Sequence, residues 1–342
     1  MSKVYFFKIE KQSPKILEEA GNKIFKVFSD FFGRDDKVLI KVHFGERGSK
    51  TYLSPVFVKA VYKNLIKKVK EAALADCTVL YKSERSFASS HKKLAKEHGF
   101  DFAPVLILDG EKGNEEIKIN INQRHFREVK LGAGIKNFNA ILAISHFTGH
   151  GCTGFGAGIK NVGMGFGSKA GKLEMHKAFK LKINSEICRL CGVCQRECPS
   201  QAILKNNGKF EIYYQKCIGC GFCISVCPFG AVEIPWEDSI SGEVQEKIVE
   251  YALGALKGRK AFFVNVLLNI TPRCDCLKGV QEPMVPDIGV LASEDIVSIE
   301  QASLDLIGKE KVEKTGIDES WQIEYAKELG LGEREYELVE IK

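Results

Sequence analysis

CRLCGVCQRECP (residues 188–199) and CIGCGFCISVCP (residues 217–228) are two copies of one spacing, Cys-x-x-Cys-x-x-Cys-x-x-x-Cys-Pro. Three thiols two residues apart on a loop can take three corners of one iron–sulfur cubane. The fourth, carried onward by the proline behind it, reaches the other cluster. Gly192 and Gly221, each following the second cysteine of its copy, allow the tight turn and the approach of backbone amides. The spacing therefore predicts two [4Fe-4S] clusters. One is assigned to Cys188, Cys191, Cys194 and Cys227, the other to Cys217, Cys220, Cys223 and Cys198. The flanks repeat as well: Ile183 precedes Cys188 as Ile212 precedes Cys217, and Cys-Pro-x-x-Ala-Ile at 198–203 answers Cys-Pro-x-x-Ala-Val at 227–232. Such a duplication builds a pseudo-symmetric unit. Structural zinc and disulfides are the other uses of Cys-x-x-Cys pairs. Neither accounts for eight ligands in this repeat.

Residues 183 to about 238 thus resemble a bacterial two-cluster ferredoxin, yet the chain has 342 residues and needs a further, larger core. Its 44% apolar and 27% charged composition is that of a globular protein. No apolar run approaches the roughly 18 residues of a membrane span, and Lys3, Lys8 and Glu10 leave no room for a signal-peptide core, so a cytoplasmic protein is expected. The formal charge of +6 falls to about +2 once two clusters with their thiolates are counted. With no stripe rich in arginine and aromatics, neither nucleic acid nor membrane is an expected partner. Lys169, Lys172, Lys177, Lys180 and Lys182 read as a solvated face ahead of the cysteines.

Elsewhere apolar runs and helical patterns alternate. Strands are expected at 1–8, 37–43, 77–81, 104–108, 139–147, 261–270, 285–292 and 336–341, with Cys77 as a core residue at its strand's start. Helices are expected at 14–32, 54–73, 89–98, 243–256, 293–307 and 319–329, and 110–130 as an edge hairpin. Strands parted by helices of this length give an α/β fold, a mainly parallel sheet with helices on both faces. Because the pattern resumes after the cysteines, the expected division is an α/β domain in two segments, 1–182 and 239–342. It is interrupted by an inserted α+β ferredoxin-like two-cluster domain, 183–238.

Eight glycines crowd the stretch from Gly149 to Gly167. Gly149-x-Gly151-x-x-Gly154 matches the dinucleotide fingerprint by letter, but no second strand with an acidic end follows. The broader expectation is a loop in which Gly149, Gly151, Gly154 and Gly156, with Lys160 and Asn161, cradle an anionic group at a helix start. Close backbone packing is the alternative. His43, His146, His150 with Cys152, and Cys274-Asp275-Cys276 all fall at or just past the ends of apolar runs. Ligands bind at that edge of open α/β sheets, and these residue types suit a third metal or a small redox ligand. A packed or hydrogen-bonded side chain is the alternative at each.

His43-Phe44-Gly45, the run Gly156 to Gly165 with Lys160-Asn161, Cys274-Asp275-Cys276, and Asp287-Ile288-Gly289 leading into Ala302 to Ile307 resemble the DUF362 family of iron–sulfur proteins, many of which carry a ferredoxin insert. The resemblance implies fold and cluster content, not an activity. The expected function is low-potential electron transfer between the clusters and a second redox or ligand site in the α/β domain, as an oxidoreductase or a component of one. The partner would be a redox protein or a small-molecule electron acceptor. The alternative is a plain carrier or adaptor whose α/β domain docks partner proteins.

Overall fold

The computed structural model describes residues 1–176, 181–234, 241–312 and 317–342. Eight strands form one sheet. From edge to edge they are Tyr336–Glu340, Ser2–Lys8, Gly289–Ser293, Lys260–Leu267, Ala140–His146, Lys37–Lys41, Glu71–Asp76 and Val105–Ile107. Only Gly289–Ser293 runs against the others. The central pair comes from opposite sides of the cysteine repeat, with Ala140 opposite Lys260 and His146 opposite Val266.

Side-chain alternation along these strands explains the layers. Val38, Ile40, Leu142, Ile144 and Val264 face helices Pro14–Val27, Pro55–Leu65 and Ala88–Glu97. Leu39, Ile141, Ala143 and Phe263 face Gly158–Phe166, Ser241–Leu256 and Ile296–Ile307. Both faces are buried, as near-continuous apolar strands require. Ser13 caps the first helix by accepting from the Ile16 amide, with Pro14 at its first turn. Gly21 lets that helix touch its neighbour: a Cβ there would sit 2.7 Å from Ala60 Cβ.

The structure departs from the sequence reading in four places. The helix expected to reach residue 73 stops at Leu65, and Glu71–Asp76 is a strand paired with Lys37–Lys41, so tertiary pairing overrides the helix preference of Glu-Ala-Ala-Leu-Ala. The strand expected at 77–81 is therefore displaced, and Cys77 lies buried just past a strand end. Strands Glu116–Asn120 and Glu128–Gly132 pair only with each other, not at the sheet edge. Asp295, not Ser293, caps the helix that starts at Ile296, accepting from the amides of Val297 and Ser298.

The cysteine unit is small and visibly duplicated. Lys182–Ile183 pairs with Val232–Glu233, and Ile203–Asn206 with Lys209–Ile212; two short helices, Val193–Arg196 and Phe222–Val226, follow Gly192 and Gly221. It docks through Leu80 and Leu173, which share a core with Leu181, Ile203, Phe210, Ile224 and Val232. Lys169 and Lys172 are buried there rather than solvated: Lys169 Nζ donates to Ser86 O and Ser225 Oγ, Lys172 Nζ to Gly167 O. Lys182 is exposed, and Lys177 and Lys180 lie outside the described residues. Among the described residues, no helix is long and apolar enough to cross a membrane.

Candidate functional site

Two voids lie within the cysteine unit. One is lined by Cys188, Cys191, Cys194 and Cys227, the other by Cys198, Cys217, Cys220 and Cys223, so each holds three thiols of one repeat and the distal thiol of the other. All eight are free. Gly192 (φ 71) and Gly221 (φ 67) take left-handed conformations that turn the loops around the voids. The distal sulfurs already accept backbone amides, Cys198 Sγ from Ala202 at 3.3 Å and Cys227 Sγ from Ala231 at 3.2 Å. Thiol number, turn geometry and amides directed at sulfur fit iron–sulfur clusters held by these residues, which would supply single-electron transfer.

A larger cleft of about 530 Å³ opens at the carboxyl ends of Lys37–Lys41, Glu71–Asp76, Ala140–His146 and Lys260–Leu267. These four strands are parallel neighbours, so their ends meet along one edge. Strand order reverses between Lys37–Lys41 and Ala140–His146, where open sheets leave a crevice. His43, His146, His150, Cys152, Cys274, Asp275 and Cys276 all line this cleft. The loop bearing Cys274 is tied to the loop after His43 by Glu46 N donating to Asp275 O. Cys274 and Cys276 are joined as a disulfide, which spacing alone did not suggest.

The cleft is electropositive. Asp76 is bound by Lys41 Nζ at 3.0 Å and Arg85 Nη2 at 2.9 Å. Burial would raise its carboxyl, but the charges of Lys41 and Arg85 hold it far below the usual range. Burial and the Arg85 guanidinium, 2.6 Å away, keep His43 neutral, its pKa well below the ordinary value. His146 differs: Nε2 meets Leu268 O and Nδ1 meets Asp275 Oδ2, each at 2.7 Å. Two acceptors demand two donors, so the ring is an imidazolium. Burial opposes its charge, and Asp275 outweighs burial to raise the pKa. Lys160 projects into the cleft with no hydrogen-bond or carboxylate partner among the described residues, and burial lowers its pKa to about 8. Burial, then Lys160, also pushes His150 well down.

The glycine run serves packing more than anion binding. Thr148–His150 and Gly154–Gly156 form a hairpin, so the fingerprint lacks its strand-to-helix turn. Gly149 abuts Pro272, where a Cβ would lie 2.3 Å from the carbonyl oxygen, and Gly154 abuts Glu319; neither they nor Gly151 lines the cleft. At the start of helix Gly158–Phe166 the Gly158 amide donates to buried Glu300 at 2.6 Å, so a protein carboxylate takes the place of an external anion. Gly156, Lys160 and Asn161 do line the cleft. Asn161 braces it, accepting from Lys41 Nζ and donating to Ser145 Oγ. Among the described residues, no three His, Cys, Asp or Glu side chains are placed to hold a single metal ion, so a third metal does not fit here.

Sequence reasoning missed Lys41, Asp76, Arg85 and His176, all of which line the cleft. Lys41 carried a usable signal, a lone charge inside an apolar strand read as buried.

The fold and site define an iron–sulfur protein in which a ferredoxin-like unit is set on an α/β scaffold. The family described as "Domain of unknown function (DUF362)" matches residues 38–305, and the chain belongs to it. Its relatives are iron–sulfur electron-transfer proteins. The probable iron–sulfur protein of the Frd operon of Proteus vulgaris is 25% identical over 150 residues, 43% of this chain and 84% of that protein. A ferredoxin of Pyrobaculum islandicum is 38% identical over 60 residues, 17% of this chain and 56% of that protein. The electron transport protein HydN of Escherichia coli is 38% identical over 50 residues, so the match spans only 29% of HydN. Among solved structures, the lactate racemase apoprotein of Thermoanaerobacterium thermosaccharolyticum aligns at 11% identity and a TM-score of 0.43, over 88% of this chain and 56% of that one.

Proposed function

We propose that the chain transfers electrons at low potential through two [4Fe-4S] clusters, on Cys188, Cys191, Cys194 and Cys227 and on Cys217, Cys220, Cys223 and Cys198, to or from a small anionic molecule bound in the cleft. The observation that carries this reading is a shared wall. Leu80 lines the cleft and also packs on Gly221, where a Cβ would come within 2.7 Å of its Cδ1. Gly221 lines the second cysteine void, between Cys220 and Cys223. Apolar shells of Ile183, Phe210 and Val232 around one void, and of Ile203 and Ile212 around the other, disfavour added negative charge, which supports low potential. Lys160 supplies the unmet positive charge for the anion. Residues 183–238 act as an inserted unit in an α/β domain formed by 1–182 and 239–342. A plain carrier has no use for such a cleft.

The test is metal analysis and EPR of protein purified without oxygen, followed by thermal shift with a panel of small carboxylates and phosphates. About eight iron and eight labile sulfide per chain are expected. At least one anion should stabilise the wild type and lose most of that effect in Lys160→Met. About four iron, or a panel in which no anion distinguishes wild type from Lys160→Met, overturns the proposal.

A further inference from the structure

We propose that Cys274 and Cys276 form a two-electron dithiol/disulfide couple, which collects electrons arriving singly from the cluster unit and passes the pair to a low-molecular-weight anionic disulfide in the cleft. The inference rests on the electron-transfer reading above and assigns its acceptor.

Four observations carry it. The pair forms a disulfide with a Cα–Cα distance of 5.3 Å, inside the ordinary range of about 4.4–6.8 Å, so the backbone accommodates the link. A cross-link closing so short a loop adds little stability, since stabilisation grows with loop length, and this favours chemistry over stapling. Cys274 is buried and Cys276 half-buried, which leaves one sulfur reachable and the other behind it, the asymmetry of an attacking and a resolving thiol. Between them Asp275 sits 5% exposed with Oδ1 lacking any hydrogen-bond partner, while Oδ2 holds the His146 imidazolium. A buried carboxylate oxygen without a donor is costly. Reduction creates two S–H donors in the same three-residue loop. The cleft wall at Leu80 brings the cysteine unit to this chamber, and Lys160 favours an anionic substrate.

The chemistry balances. Two electrons and two protons break the Sγ–Sγ bond and form two thiols. The electrons come from the two reduced clusters, which a low-potential one-electron donor protein refills, and the protons from solvent entering the cleft. In the return half, Cys276 as thiolate attacks one sulfur of the substrate disulfide and releases one substrate thiolate. Cys274 as thiolate then attacks Cys276 Sγ, restoring the internal link and releasing the second substrate thiolate. The two thiolates take up the two protons that the cysteines gave up.

The experiment is an anaerobic dithionite titration of the holoprotein, quenched in acid, alkylated and read by peptide mass spectrometry. Wild type should accept about four electrons per chain as the linked 274–276 peptide becomes doubly alkylated. Cys274→Ser/Cys276→Ser should accept about two, with its iron content unchanged. Wild type that stops at about two electrons with the link intact, or a peptide already doubly alkylated before reductant is added, overturns the couple while leaving the clusters standing. A protein without iron overturns the electron-transfer reading instead. The reduced protein is then mixed with an aromatic disulfide bearing two carboxylates and with its uncharged pyridyl counterpart. Lys160→Met should slow the carboxylated probe about tenfold and the neutral one far less, as the loss of one ion pair implies. Equal slowing overturns the assignment of an anionic substrate.

Discussion

Glu300→Gln isolates one buried charge whose effect on stability has a definite sign. Glu300 lies on helix Ile296–Ile307 with no exposed surface; Oε1 accepts from Gly158 N at 2.6 Å and Asn265 Nδ2 at 3.1 Å, while Oε2 has no partner among the described residues. Burial raises its pKa to about 7. The unfolded chain titrates near the ordinary glutamate value of about 4.3. Between those values the folded protein holds a proton that the unfolded chain releases. Stability therefore falls as pH rises through that window and is level above it. At 1.36 kcal/mol per unit, the loss amounts to about 3 kcal/mol. Glutamine keeps the Oε1 acceptor and cannot ionise, and its amide offers a donor in a pocket where Asn265 Oδ1 also lacks one. The variant should gain about 3 kcal/mol on the wild type between pH 5 and pH 8, or roughly 6 °C in Tm for a chain of this size. Melts of both proteins at the two pH values, read by far-ultraviolet circular dichroism, make the comparison. Parallel changes within about 1 kcal/mol would show that Glu300 ionises at an ordinary pH and refute the reasoning.

Three other outcomes are expected. Cys198→Ser should halve the iron from about eight to about four and remove the EPR signal of the Cys217–Cys223 site; loss of the Cys188–Cys194 signal instead would break the crossed assignment. Asp76→Asn leaves Lys41 and Arg85 as buried cations without their carboxylate and should cost about 3–5 kcal/mol by denaturant titration; a change under about 1 kcal/mol would contradict a buried ion network. Because the Lys160 pKa is about 8, an anion that needs its charge should bind about tenfold more weakly at pH 9 than at pH 7, as calorimetry would show. Affinity independent of pH would exclude Lys160 from the contact.

What the sequence revealed depended on the range over which each residue's role is decided. The cysteine assignments come from local spacing, and the two voids group the same eight thiols. His43 and His146 were legible because a strand end is a local feature and parallel strands end together. Asp76 was not, because Glu71–Asp76 resembles a helix until it pairs with Lys37–Lys41, a decision made by the sheet. The glycine run was legible as special backbone but not in kind. Only the meeting of Gly149 with Pro272 and of the Gly158 amide with Glu300, residues distant in sequence, shows that protein atoms occupy the cradle. Lys169 misled for the converse reason: a lysine cluster is usually solvated, and its burial depends on where the cysteine unit docks.

That lysine also constrains how such a chain can change over time. Its ammonium, fully buried between Phe87 and Phe222, spans the two parts of the molecule, held by Ser86 O at 3.0 Å on one side and Ser225 Oγ at 2.8 Å on the other. A ferredoxin unit from elsewhere without a hydroxyl at that place would leave a buried cation short of a partner, at a cost of several kcal/mol. The cysteine unit is thus not an interchangeable cassette. Exchange by recombination at its two boundaries is closed unless residue 169 changes in the same event, so scaffold and electron carrier are inherited as one piece.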